Sequence, residues 1–157
     1  MNKLGIVWLI SYFWKGYPMP IVDAVRAAFP ALPDKDPRQM APLVLAYIGD
    51  TVYDLYMRTR LVLKTDSTAH GLHMAAAKLV CAAAQAAAYR RMADALTEEE
   101  TAIFKRGRNA HMGTVPKNAS IADYRAATGL EALMGYLYLC GRDERIEELM
   151  SLALKED

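Results

Sequence analysis

Residues 40–62, MAPLVLAYIGDTVYDLYMRTRLV, carry apolar side chains around most of a helical circumference. That pattern narrows the folds open to the chain more than any other feature. A surface helix keeps one polar face, so a helix that is apolar nearly all round is expected to be central and buried, or to meet a second subunit. Beyond residue 20, no long stretch shows the period-two alternation of a half-buried strand. Glycine is sparse inside the segments, and alanine, the best helix former, is abundant. The expected fold class is all-α, a bundle of about six helices.

Local signals set the boundaries. Residues 21–29 read as a first short helix, and Pro30, Pro33 and Pro37 mark a loop. Asp36 before Pro37 is a cap plus first-turn proline for the long helix. Asp66, Ser67 and Thr68 offer caps for a third helix, which alanine-rich sequence extends to about Leu96. Thr97 and Glu100 form a capping box that opens a short helix to Lys105. Gly107, Gly113 and Pro116 break the pattern. Asn118 or Ser120 caps the next helix, which stops at Gly141. Residues 142–154 make a last amphipathic helix with an acidic outer face.

With 157 residues, 54% of them hydrophobic and 24% charged, the chain has the makeup of one globular domain. Disorder, collagen and a disulfide scaffold are excluded. The domain is expected to span residues 21–157. Residues 1–20 form a separate apolar extension. Its apolar run, 4–14, is shorter than the roughly 20 residues that cross a bilayer, and no small-x-small cleavage site follows. It reads as a segment that packs on the domain, or as a translation start placed too early. No membrane partner is expected. Cys81 and Cys140, with no C-x-x-C motif, point to reduced thiols and a cytoplasmic location, and exclude a zinc ribbon. Neither has an evident base beside it, so neither reads as a catalytic thiol. His70 and His73 have helical metal-ligand spacing but no third ligand nearby in sequence.

Two constellations can carry chemistry. Nineteen basic and eighteen acidic residues leave a net charge of +1, so a nucleic-acid partner must announce itself by clustering. Lys105, Arg106, Arg108 and Lys117, with His111, lie in a glycine-containing stretch free of acids. Such a stretch suits phosphate oxygens, and equally suits a solvated surface. Residues 143–157 are the counterweight, with six acids. The second constellation is a pair of carboxylates in apolar settings, Asp50 after Gly49 and Glu131 between Gly129 and Gly135. A carboxylate on an apolar helix face is costly unless paired or metal-bound. If the two helices cross at these glycines, both carboxylates can share one divalent cation, and oxygen-only ligation favours magnesium or manganese. The alternative is an ion pair with Arg58 or Arg125. Asp54 lies on the face of Asp50 but can pair with Arg58. Of the tyrosines, Tyr47, Tyr53, Tyr56, Tyr124, Tyr136 and Tyr138 read mostly as core or interface groups.

These residues support a resemblance. LAYIGDTVYDLY (45–56) resembles the signature helix of the ribonuclease III catalytic domain, roughly L-E-x-L-G-D-x-V. ATGLEALMGYLYL (127–139) is similar to that family's second acidic helix. KRGRNA (105–110) and TVPKN (114–118) resemble its short form, Mini-ribonuclease III, which lacks a double-stranded-RNA-binding domain. The likeness runs from about Asp36 to the C-terminus. It implies a homodimeric, metal-dependent endoribonuclease that cleaves double-stranded RNA, leaves 5′ phosphate and 3′ hydroxyl ends, and matures the ends of 23S ribosomal RNA precursor. Asp50 and Glu131 match the family's catalytic metal ligands, with Mg2+ as cofactor and Mn2+ as a substitute. Arg106, Arg108 and Lys117 are then expected to anchor backbone phosphates, with Asn109, Asn118 and Gln85 as donors to RNA. Two sites facing opposite strands would let a dimer cut both, and a ribosomal protein is a candidate helper that presents the substrate. The chain departs from the longer family members at Ala46, where a glutamate is usual, and at Thr128, where an aspartate is usual.

Two other functions compete. One is a non-catalytic double-stranded-RNA-binding dimer, with Ala46 and Thr128 as signs of decay. The other is an all-α nucleotide pyrophosphatase of the MazG type, whose metal helices carry E-x-x-E pairs. Glu98 to Glu100 and Glu147 with Glu148 read as exposed here, which argues against it.

Overall fold

The computed structural model describes residues 19–111 and 120–154. Most of the 1–20 extension, with Gly113, Pro116, Lys117 and Asn118, lies outside the described residues. Seven α-helices and two short 3-10 turns are present among them, and no strand. The helices are α1 (Ile21–Ala28), α2 (Pro42–Lys64), α3 (Ala69–Leu79), α4 (Ala82–Met92), α5 (Glu98–Arg108), α6 (Ile121–Leu139) and α7 (Asp143–Ala153). The all-α expectation holds.

The central helix is α6. From Ala127 to Leu137 every residue is buried except Glu131. Helices α2, α4 and α5 pack around it, and α7 closes the bundle against α4 and α6. The sequence reading gave α2 either the central place or a contact with a second subunit. That helix buries one side, through Leu45, Gly49, Val52, Tyr53 and Met57, and leaves the other uncovered. Tyr47 is 83% exposed and Leu63 82% exposed, with Leu43, Val44, Leu55 and Val62 also open to solvent. An apolar circumference therefore had two causes, a core on one side and a bare face on the other. Tyr53 and Tyr136 are core residues, 1% exposed each.

Three boundaries differ from expectation. Asp36 does cap a turn, accepting from the Arg38 amide at 3.0 Å, but the turn is a separate 3-10 segment, Pro37–Gln39. Helix α2 starts later, with Pro42 in its first turn. The long third helix is broken: Val80 ends α3, and Cys81, in extended conformation, starts α4. The break carries neither glycine nor proline. It turns α4 so that Gln85, Ala86, Ala88 and Met92 are buried, and that packing overrides local helix propensity. Helix α5 runs on to Arg108, past the expected Lys105.

Other signals are realised as read. Ser120 caps α6 by accepting from the Asp123 amide. Gly141 ends α6 at φ +67°, with Arg142 N bonded to Leu137 O and Gly141 N to Tyr138 O, the paired bonds of a Schellman turn. Thr97 and Glu100 form the capping box at the start of α5, with bonds of 3.2 and 2.9 Å.

Glu100 is not on an exposed face, however. Its side chain is 2% exposed and takes a two-pronged contact from Arg145 of α7, Nε to Oε1 and Nη2 to Oε2, each 2.9 Å. Arg145 also donates to the Ala95 carbonyl at 2.6 Å. The fork geometry repays much of the desolvation of both charges. Arg145, followed by the Thr97 amide, holds the Glu100 pKa below its usual 4.5 despite burial.

Replacing Arg145 by alanine leaves this carboxylate buried without its cation, so denaturant unfolding should show a loss of about 3 kcal/mol. The stabilisation from Glu100 is complete above pH 4.5, the value in the unfolded chain, and should drain away as pH falls below it, a dependence that Glu100→Gln removes.

Candidate functional site

The site is built by a crossing of α2 and α6 at two glycines. A Cβ on Gly49 would overlap the backbone carbonyl of Glu131, and one on Gly135 would overlap the carbonyl of Leu45. The helices therefore meet backbone to backbone. Asp50 follows Gly49 on α2, and Glu131 is the residue whose carbonyl Gly49 touches. Gly129 serves another contact, against Phe104 of α5. Asp50 is exposed at the rim, Glu131 is half-buried, and Gln85 approaches from α4 with 1% exposure.

The electrostatics of this cluster follow from burial and like charge. Burial, reinforced by the charge of Asp50, pushes the Glu131 pKa up to about 7, while Gln85 pulls it the other way. Burial and the charge of Asp54 raise that of Asp50. The ion-pair alternative is not what the structure contains: Arg58 pairs with Asp54 at 2.6 Å, and no cation is among the groups acting on Asp50 or Glu131. Two mutually repelling carboxylates offer oxygen donors of the kind suited to a hard divalent ion. The Gln85 side chain is buried beside this pair, and its amide nitrogen has no hydrogen-bond partner in this structure. Among the described residues no group of three or more His, Cys, Asp or Glu side chains converges to hold a metal, so the site offers two carboxylates alone. Ala46 and Thr128 are each 6% exposed and turned into packing, and Thr128 donates to the Tyr124 carbonyl at 3.1 Å.

The basic stretch divides into unlike parts. Arg106 donates to the carbonyls of Arg38 at 3.1 Å and Met40 at 2.8 Å. It thus ties the segment before α2 to the end of α5, rather than standing ready for phosphate. Arg108 and Asn109 are exposed and joined to each other, Nε to Oδ1 at 3.2 Å. Lys105, Arg106 and Arg108 occupy the last turn of α5, where positive charge also complements the helix dipole. Gln85, expected as an RNA donor, is in the interior beside Glu131. Its lone polar position within CAAAQAAAY was the sequence signal for this place. Lys117 and Asn118 lie outside the described residues.

Residues 43–142 match the model of the ribonuclease III domain. The chain belongs to the ribonuclease III family. Among curated relatives, the Mini-ribonuclease 3 of Clostridium tetani is 50% identical over 76% of this chain and 80% of its own length. That of Thermoanaerobacter sp. is 47% identical over 74% and 82%. A solved protein from Fusobacterium nucleatum, 30% identical, superposes with a TM-score of 0.70 over 77% of this chain and 97% of its own. The chain is thus a member of the Mini-ribonuclease 3 branch, as its motifs implied. The matched segment contains both acidic helices and the crossing between them.

Two measurements follow from this geometry. Glu131 has a folded pKa near 7 and an unfolded value of 4.5, so in chelator its ionisation opposes folding. Stability should fall as pH rises from 4.5 to 7 and then level off, and Glu131→Gln should flatten that slope in thermal melts. Gly49→Ala forces the helices apart and should cost about 1–3 kcal/mol in denaturant unfolding, with loss of activity.

Proposed function

We propose that this ribonuclease III family endoribonuclease cleaves double-stranded RNA at a magnesium site made by Asp50 and Glu131. The observation that carries the reading is the convergence of these two carboxylates at the Gly49–Gly135 crossing, where burial and the charge of Asp50 raise the Glu131 pKa to about 7. Mg2+, or Mn2+ in its place, supplies Lewis-acid activation of water and of a phosphodiester. Asp50, at the rim, stands where solvent and a phosphate group have access. Glu131, deeper, gives a carboxylate that releases its proton near neutral pH and gains most from a cation.

RNA is held by shape and charge. Arg108 and Asn109 are exposed groups at the end of α5 that can meet backbone phosphates and 2′ hydroxyls, and A-form RNA is read in this way without strong sequence choice. Arg106 supports them by fixing the neighbouring loop. The working unit is a homodimer, joined through the outer face of α2. What supports it is the exposed apolar strip there, with Tyr47 and Leu63 the barest residues. On this reading the substrate is the paired ends of 23S ribosomal RNA precursor, cut in the cytoplasm with a ribosomal protein as helper and with 5′ phosphate and 3′ hydroxyl ends as products; the motifs shared with the Mini-ribonuclease 3 branch support it. Among the described residues no helix is long and apolar enough to cross a membrane.

The decisive experiment is cleavage of a short RNA duplex in Mg2+ by wild type and Asp50→Asn. The variant should lose at least about 100-fold in rate. Equal rates would remove Asp50 from the site, and duplex binding by the wild type without any cutting would favour the non-catalytic dimer. Arg108→Ala should lower the salt slope of duplex binding by about one, and Tyr47→Arg should shift the protein to monomer in sedimentation velocity.

A further inference from the structure

We propose that Gln85 is the positioning residue of the Asp50–Glu131 site, its carboxamide holding the Glu131 carboxylate in the orientation that a divalent cation requires. The inference rests on the reading of that carboxylate pair as a cation site. Gln85 stands on the inner face of α4, among Ala86, Ala88 and Met92, and is as buried as they are. A carboxamide in such a place is costly unless its donors and acceptors are met. Its nitrogen has no hydrogen-bond partner in this structure. The polar group it faces across the packing of α4 on α6 is the half-buried Glu131 carboxylate. That carboxylate is the acceptor within reach of the amide, and the amide is a neutral donor for it.

Neutrality is what suits a glutamine to this task. A lysine or arginine would hold Glu131 equally well, but would cancel the negative charge that attracts the cation. An amide orients the carboxylate and leaves its charge intact. Orientation also matters more where ligands are few. Ala46 and Thr128, the inward-facing neighbours on α2 and α6, bring no carboxylate, so each of the two that remain must be well placed. The arrangement matches the general behaviour of metal sites, in which partners behind the ligands set ligand geometry. A direct contact between Gln85 and RNA would require α4 to give up a core position.

The test uses the full-length protein without RNA, titrated with Mn2+ by calorimetry, and then duplex cleavage at saturating metal. Gln85→Leu should weaken Mn2+ binding by about 10- to 100-fold. In the cleavage assay it should lower kcat and leave KM for the duplex unchanged. Should Gln85→Leu not fold, Gln85→Met, similar in length and without a donor, carries the same comparison. Unchanged Mn2+ affinity with a raised KM would return Gln85 to RNA contact and overturn the proposal. Unchanged affinity and unchanged kinetics would reduce it to packing, which overturns it as well. Asp50→Asn separates the two levels of the argument. If it binds Mn2+ as tightly as wild type, the cation site itself is misplaced. If it loses Mn2+ while Gln85→Leu keeps it, only the role of Gln85 fails.

Discussion

The contact of Gly49 with the Glu131 carbonyl, and of Gly135 with that of Leu45, is the constraint on which the site depends. Two backbones at this separation leave no room for a side chain, and the acidic residues beside them are carried into one place. The contact is held because α6 has no free side on which to yield. Leu130, Leu133, Met134 and Leu137 are fully buried around it, each contributing about 1.5–3 kcal/mol by leaving water. That packing offsets the cost of keeping Glu131, the one residue of this stretch that is not fully buried, in a setting that disfavours its charge. Stability is spent where a carboxylate is held with its pKa raised.

What could be read from the sequence was what local chemistry decides. Thr97 with Glu100, Ser120 and Gly141 each satisfy backbone groups within a few residues, and all appear in their expected roles. The pairing of Asp50 with Glu131 was legible for a similar reason: a carboxylate flanked by glycines in an apolar helix has few inexpensive explanations. The break at Val80 and Cys81 was not legible, because nothing in those residues forbids a helix and only the packing of α4 requires the bend. Glu100 looked exposed because its cation is on a distant helix. The outer face of α2 was read as core or as a subunit contact, because hydrophobicity does not tell a core from an uncovered surface.

The basic run shows how one charge pattern can serve several physical purposes. Its arginines end a helix, clamp a loop and face solvent within three positions. Arg106 spends its guanidinium on two carbonyls, as a strut, and Arg108 keeps its own near the surface with Asn109. Charge counting treats them alike, and only the hydrogen bonds distinguish scaffold from contact surface.

The Glu100 carboxylate closes the first turn of α5 through Oε2 and receives the guanidinium of α7 on both oxygens. The beginning of one helix and the seating of another thus share a single fastener. Neither can fray alone without stranding the other's polar groups, so the C-terminal helix and the middle of the chain should open as one cooperative unit, although long stretches of sequence separate them.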